Sequence, residues 1–314
     1  MNTQEIRRIG VAVVLIMLFM AASVWLQRVR DRVYPTASIE DDALYLTSPN
    51  TARRLSLAYQ SVAADLYWIR TLQYFGGTKH IVDAGGIITD PNRRQYASLF
   101  PLLDLTTSLD PRFNLAYRFG SLFLSEAPPG GPGRPDLAIR LLEKGLRERP
   151  DRWEYMQDVG FVHYWWRHDY KAAAEWFKRA ADVPGAPWWL RSLAATTLAE
   201  GGDRRSSRTM WLAIRESAEI DWLRNDAERR LTQLKALDDI DALQAAVNKY
   251  AGRSGQPVRD WHALVRAGLL PGIPADPTGV PYEIDGSSRV RLAKASRLWP
   301  LPEEPRSTLA PSGS

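Results

Sequence analysis

Cysteine is absent from all 314 residues, which removes disulfide frameworks, thiolate zinc sites, redox dithiols and a lipid-modified cysteine together. Histidine is scarce, with four in the chain. His163 and His168 stand five apart, off a common helix face, and no H-E-x-x-H accompanies them, so no metal centre is expected. Neither G-x-S-x-G nor G-x-x-x-x-G-K-[ST] occurs, and Gly85-Gly86 reads as a structural turn. The paired acids Asp41-Asp42 and Asp238-Asp239 are neighbours in sequence and point apart on a helix, which does not suit acid-base work. These absences predict no enzyme, no cofactor and no small-molecule substrate.

A large excess of charge of one sign is absent too. The formal net charge is +5, yet residues 1 to 35 hold five Arg against Glu5 and Asp31, so most of the excess sits at the N-terminus. Elsewhere bases and acids alternate along helical stretches, as in Arg140, Glu143 and Lys144 or Glu228, Arg229 and Arg230. Such mixtures make solvated helix faces rather than a phosphate-binding surface, and no nucleic-acid partner is expected.

One long uncharged run is present, Ile9 to Leu26, set between Arg7-Arg8 and Arg28, Arg30 and Arg32. As a helix these eighteen residues rise about 27 Å, close to the ~30 Å hydrocarbon core of a bilayer. The expectation is one membrane-spanning helix, an anchor over 1–32. A cleaved secretory signal is the competing reading, because Ala21-Ala22-Ser23 offers the small side chains of a cleavage site. The length of the run and Trp25 favour the anchor. Arg7-Arg8 lacks the neighbours of a twin-arginine signal. Lys and Arg counts on the two sides do not decide orientation. A short basic start before an apolar run suits a cytoplasmic N-terminus, so the expected place is a bacterial inner membrane, single-pass, with the large domain periplasmic.

Beyond the anchor the pattern is helical. Ser48-Pro49 predicts a helix start, and Leu55, Tyr59, Val62, Leu66 and Ile69 recur at fours and threes as a face to bury, until Gly76-Gly77. A loop follows over 76–94, so 48–94 leads into the helices to come. A second helix is expected from Gln95 to Leu109, closed by Asp110-Pro111.

Repetition then appears. Ala138, Leu142, Gly145 and Pro150 are matched in spacing by Ala173, Phe177 and Ala180, and a weaker copy holds Ala195, Leu198, Gly202-Asp203, Ser207 and Trp211. Small residues at fixed places let two helices approach closely while a large apolar residue fills the space beside them. With Phe119-Gly120 and Phe123 ahead of the first copy and Tyr164 and His168-Asp169-Tyr170 ahead of the next, this resembles the tetratricopeptide repeat (TPR) family, and the phrasing also looks like a group of membrane-anchored bacterial repeat proteins. Two departures stand out: an inserted loop, Pro128 to Pro135, and a frame that puts Phe161, not Gly160, at the small position of the second copy.

The resemblance implies an all-α fold: a short α-solenoid of helical hairpins over 95–250 with capping helices. It also implies a concave groove that holds extended peptides or partner helices. Carried residue by residue, the groove positions are Asn114, Tyr117, Ser121 and Leu124, then Tyr155, Asp158, Val162 and Trp165, then Trp189, Ser192, Thr196 and Ala199. Lys and paired Asn are missing there, so capture of a peptide C-terminus is not expected. Apolar side chains suit the groove better.

Eight of the twelve tryptophans lie between Trp153 and Trp222. Trp176 and Trp211, at the large inter-helix position, are expected in the core, while one member each of Trp165-Trp166 and Trp188-Trp189 should reach the surface, since adjacent side chains cannot both face inward. Farther on, prolines interrupt 257–299, and Tyr282 and Ile284 alternate before Asp285-Gly286 as Val290 and Leu292 do after it, which predicts a small β-hairpin. Asp276 to Tyr282 resembles the Asp-Pro-x-Gly-x-Pro-Tyr turn near the ends of type II secretion pseudopilins and some other envelope proteins, over seven residues only; a proline-fixed turn that docks the hairpin onto the last helices is the favoured reading. Residues 300–314 read as a disordered tail. The function expected is that of a membrane-anchored scaffold binding partner proteins through its groove in assembly of a cell-envelope machine. A structural subunit of a larger membrane complex is the alternative.

Overall fold

The computed structural model describes residues 3–33, 48–83 and 96–305, with side chains for 14–30, 48–79 and 96–305. Two compact units divide it, Met1–Asp110 and Pro111–Ser314. Nearly all regular structure is helical, and one small two-stranded sheet completes it.

In the first unit α1 (Thr3–Val33) covers the predicted apolar run, and its described apolar side chains, Val14 to Met20 and Val24 to Leu26, are all exposed. Among the described residues no helix is long and apolar enough to cross a membrane; the first part of the predicted span, residues 9 to 13, has its side chains outside that set. Ser48 caps α2 (Pro49–Ser56) through its side chain, as its place before Pro49 predicts. The helix expected to continue from there breaks at Leu57, whose φ of 49° no right-handed helix admits. It resumes as α3 (Gln60–Asp83).

Two further expectations are corrected here. Gly76-Gly77 does not end α3, which runs on to Asp83. Each glycine costs about 1 kcal/mol of helix propensity, but Thr78, one residue beyond, is buried as part of the packed face, and that packing carries the helix through. The face expected to be buried is the wrong one. Ala64, Thr71 and Thr78, seven apart, are the buried positions, and these small side chains let α4 (Leu99–Leu109) approach with Leu99, Leu102, Leu103 and Leu105. Thr71 and Thr78 bond back to the carbonyls of Tyr67 and Tyr74 at 2.7 and 2.8 Å, so burial leaves neither hydroxyl unpaired. Val62, Leu66 and Ile69 lie on the opposite side and are exposed. The helix expected from Gln95 starts at Leu99, behind a turn in which Tyr96 has φ 62°. Gly85-Gly86, Asp90-Pro91 and Asp41-Asp42 lie outside the described residues.

In the second unit α5 (Asn114–Ser125), α6 (Pro135–Glu148), α7 (Trp153–Trp165), α8 (Tyr170–Ala181), α9 (Trp189–Glu200), α10 (Arg204–Ser217) and α11 (Asp221–Ser254) each pack on the next in chain order, and α5 also touches α7. Small residues set the spacing. A Cβ on Gly145 would stand 2.9 Å from the Tyr155 ring and 3.0 Å from Tyr117; one on Gly160 would stand 2.4 Å from Phe177. Gly160 thus takes the close-approach place in α7, and the spare residue lies in the turn that follows, where His168 has φ 51°. Ala138, Ala173, Ala180 and Ser207 are fully buried at the equivalent places, Ser207 donating to the Ala195 carbonyl at 2.7 Å. Asp169 and Asp203 cap α8 and α10 by accepting from the amides of Ala172 and Ser206.

The C-terminal part builds on α11. After α12 (Trp261–Arg266), a short helix inside the stretch read as proline-rich, β1 (Glu283–Ile284) and β2 (Val290–Arg291) pair antiparallel as the predicted hairpin. Gln244 docks it, donating to the Ser288 carbonyl and accepting from the Val290 amide. Asp276 fixes the preceding turn by accepting from the Thr278 and Val280 amides, the Thr278 hydroxyl and the Ser296 hydroxyl. Residues 300–304, expected to be disordered, are held. The Gln233 amide donates to the carbonyls of Leu298 and Pro300 at 2.8 and 2.7 Å, and Arg204 binds the Glu304 carboxylate with two nitrogens at 2.5 Å each. Residues 306–314 lie outside the described set.

Candidate functional site

A groove of about 260 Å³ opens between α5 and α7. Helical spacing puts Leu115, Arg118, Phe119 and Leu122 of α5 on one wall. The facing wall is Asp158, Phe161 and Trp165 of α7, with Trp166 at its end. Leu115, Phe119, Leu122 and Trp165 are 44–54% exposed, large apolar side chains gathered in one depression. The Phe161 ring stacks on Trp165, centroids 4.6 Å apart and 10° from parallel, and meets Phe177 edge-on at 5.1 Å. Phe161 therefore joins the groove wall to the core beneath it.

One ion pair joins the two walls. Arg118 donates to Asp158 through Nε at 2.6 Å and Nη2 at 3.1 Å. Burial pushes the Asp158 carboxyl above its ordinary range despite that guanidinium, while the hydrogen bond to Asp158 holds Arg118 more firmly protonated than usual. The pair is neutral as a whole, so the groove offers no net charge to a ligand. Asn114 Oδ1 is buried at the groove with no hydrogen-bond partner among the described residues.

Of the positions carried from the repeat resemblance, Asn114, Ser121, Asp158, Val162 and Trp165 line this groove. Tyr117, Leu124 and Tyr155 do not, and are corrected: each is fully buried, the Tyr117 and Tyr155 rings 5.2 Å apart over Gly145. Burial also pushes the Tyr155 hydroxyl up to about 12. On α5 the wall extends past the expected positions: Leu115, Arg118, Phe119 and Leu122 line it beside Asn114 and Ser121, while Tyr117 turns away. Trp189 and Ser192 of α9 lie apart from the groove: Trp189 meets Trp153 edge-on at 6.4 Å, and Ser192 Oγ is buried without a partner among the described residues. Thr196 and Ala199 line, with Trp211, Leu234 and Pro302, a separate cavity of about 10 Å³, too small for a side chain.

The tryptophans divide. Trp211 is buried as expected, but Trp176 is half-exposed under the Arg179 guanidinium, 3.9 Å above its ring, and Phe177 holds the core position. Trp165 reaches the surface, and at Trp188-Trp189 both do, Trp188 against Trp222 at 5.4 Å.

Sequence reasoning missed Leu115, Phe119 and Leu122. Their own spacing of four and three was the available signal, since α5 carries a second apolar stripe beyond the one its core uses. His163 is buried, its Nδ1 3.9 Å from Asp169, and burial lowers its pKa; among the described residues no group of three His, Cys, Asp or Glu could hold a metal. No family model, curated protein or solved structure matches the chain.

Proposed function

We propose that this chain is a membrane-anchored scaffold of TPR-like helical hairpins that grips a partner protein in the groove between α5 and α7, in assembly of a cell-envelope machine. The observation that carries the reading is the groove itself, four large apolar side chains left in water beside a neutral ion pair. Contiguous exposed apolar surface of this kind marks binding sites, and aromatic anchors dominate such sites. The run of pairwise contacts from α5 to α11 supports a short solenoid, because in such stacks each hairpin touches only its neighbours. Eighteen uncharged residues from Ile9 to Leu26 support single-pass insertion in a bacterial inner membrane, with the second unit in the periplasm.

In cells, a photo-crosslinking residue at Phe119 or Trp165 is expected to capture a defined partner, and one at Trp188, outside the groove, is not. Leu122→Asp should abolish the capture without unfolding the domain, since Leu122 is exposed. Equal adducts from all positions, or none from the groove, refute the proposal. A C-terminal alkaline phosphatase fusion that stays inactive refutes the periplasmic placement.

A further inference from the structure

The outer face of α3 lies across the helix from its packed face. Val62, Leu66 and Ile69, spaced four and three, share one side, while Ala64, Thr71 and Thr78, buried against α4, share the other. A helix that packs one side on α4 and leaves large apolar side chains in water on the opposite side has a second surface to bury. Leu72 flanks the outer stripe, and Leu55, Leu57 and Tyr59 extend it across the corner between α2 and α3, each 40–76% exposed.

We propose that this face lies on an anionic bilayer surface. The inference rests on the anchor reading of α1 and concerns a surface separate from the groove. Fourteen residues, 34 to 47, join α1 to Ser48. Fully extended they span at most about 50 Å, so a bilayer crossed by α1 is always within reach of α3. Charge selects the lipid: Arg53, Arg54 and Lys79 stand on this stretch against Asp65. Large apolar side chains along one side, with Asp65 among them and the bases of the stretch outnumbering it, describe a helix seated at the headgroup boundary, drawn by acyl chains and lipid phosphates together.

The absence of cysteine makes the test direct. Full-length chain carrying a single cysteine at Met17, Leu66, Ile69 or Lys178 is labelled with an environment-sensitive fluorophore in phosphatidylcholine–phosphatidylglycerol vesicles. All four side chains are exposed, so labelling leaves the core intact, and circular dichroism checks it. Labels at Leu66 and Ile69 are expected to shift to the blue, to lose emission on brominated lipid and to resist aqueous iodide, while the Lys178 label shows none of this. Iodide quenching at Leu66 and Ile69 overturns the proposal. Protection from both quenchers overturns it too, because a second copy or another chain then covers the face. A Met17 label untouched by brominated lipid refutes the anchor, whereas a quenched Met17 with an unquenched Leu66 refutes only the surface contact.

Discussion

Replacing Gly160 by alanine tests how closely the helices of the second unit are fitted. A helix-interior Gly→Ala change on an open surface stabilises by about 1 kcal/mol. Here the new methyl would meet the Phe177 ring at 2.4 Å, and Phe177 is fully buried with Phe161 edge-on to it, so the ring has no free direction to move. Overpacking of a closed core costs about 1–3 kcal/mol. With the clash far inside contact distance, the expected net loss is about 2 kcal/mol. For a unit of this size that lowers the melting temperature by roughly 4–8 °C, readable by circular dichroism. The companion change Phe177→Leu removes the obstructing atoms, so the double variant should be more stable than the sum of the singles by about 1–2 kcal/mol. A Gly160→Ala protein as stable as the parent, or an additive double variant, refutes the argument that this glycine is required by close approach. The near-ultraviolet dichroism of Trp165 should change in the single variant, since Phe161 stacks on it.

Arg118→Ala leaves the Asp158 carboxylate without its donors. Because the guanidinium is partly exposed, the expected loss is about 1–2 kcal/mol at pH 7. An acid whose folded pKa is raised contributes stability below its unfolded value and loses it as pH rises through the folded value, so the deficit should narrow as pH falls from 7 towards 4; a constant deficit refutes the electrostatic origin. Asp285 is held down from 3.8 to about 2, first by the Ser287 hydroxyl and then by the Arg289 amide. Its contribution is therefore present above the unfolded value and lost as pH falls through about 2; Asp285→Asn should remove that acid-dependent part of hairpin stability, and an NMR carboxyl titration near 4 would refute it. Asp276→Ala strips four donors of their acceptor in a buried turn and should cost about 3 kcal/mol in a denaturant melt; a loss under about 1 kcal/mol would assign the turn to its prolines alone.

Helix placement was legible wherever chemistry local to the chain decides it. Ser48 before Pro49 and Asp285-Gly286 between alternating residues mark the ends they were read to mark, and His168-Asp169 falls in the turn ahead of α8 where the repeat pattern put it. What stayed illegible is decided by distant partners. Gly76-Gly77 reads as a stop by propensity, yet α3 passes through it, since the packed stripe of Ala64, Thr71 and Thr78 reaches beyond those glycines. That stripe is small and partly polar, so an apolarity count ranks it below Val62, Leu66 and Ile69 and selects the wrong face.

The groove shows the same limit at finer scale. In α5 the core stripe is Ala116, Tyr117, Gly120 and Leu124, and the groove stripe is Leu115, Phe119 and Leu122, so both are apolar and only one helical step separates them. Periodicity cannot rank two such stripes. What ranks them is Gly145 on α6, which admits the Tyr117 and Tyr155 rings at a distance any Cβ would close, and so turns Tyr117 inward and Leu115, Arg118 and Leu122 outward. In α7 the register came out closer, because Gly160 faces Phe177 and leaves Asp158, Phe161 and Trp165 on the open side. The position of the binding wall thus follows from where two glycines let aromatic rings in, a property of neighbouring helices that no single helix carries in its own sequence.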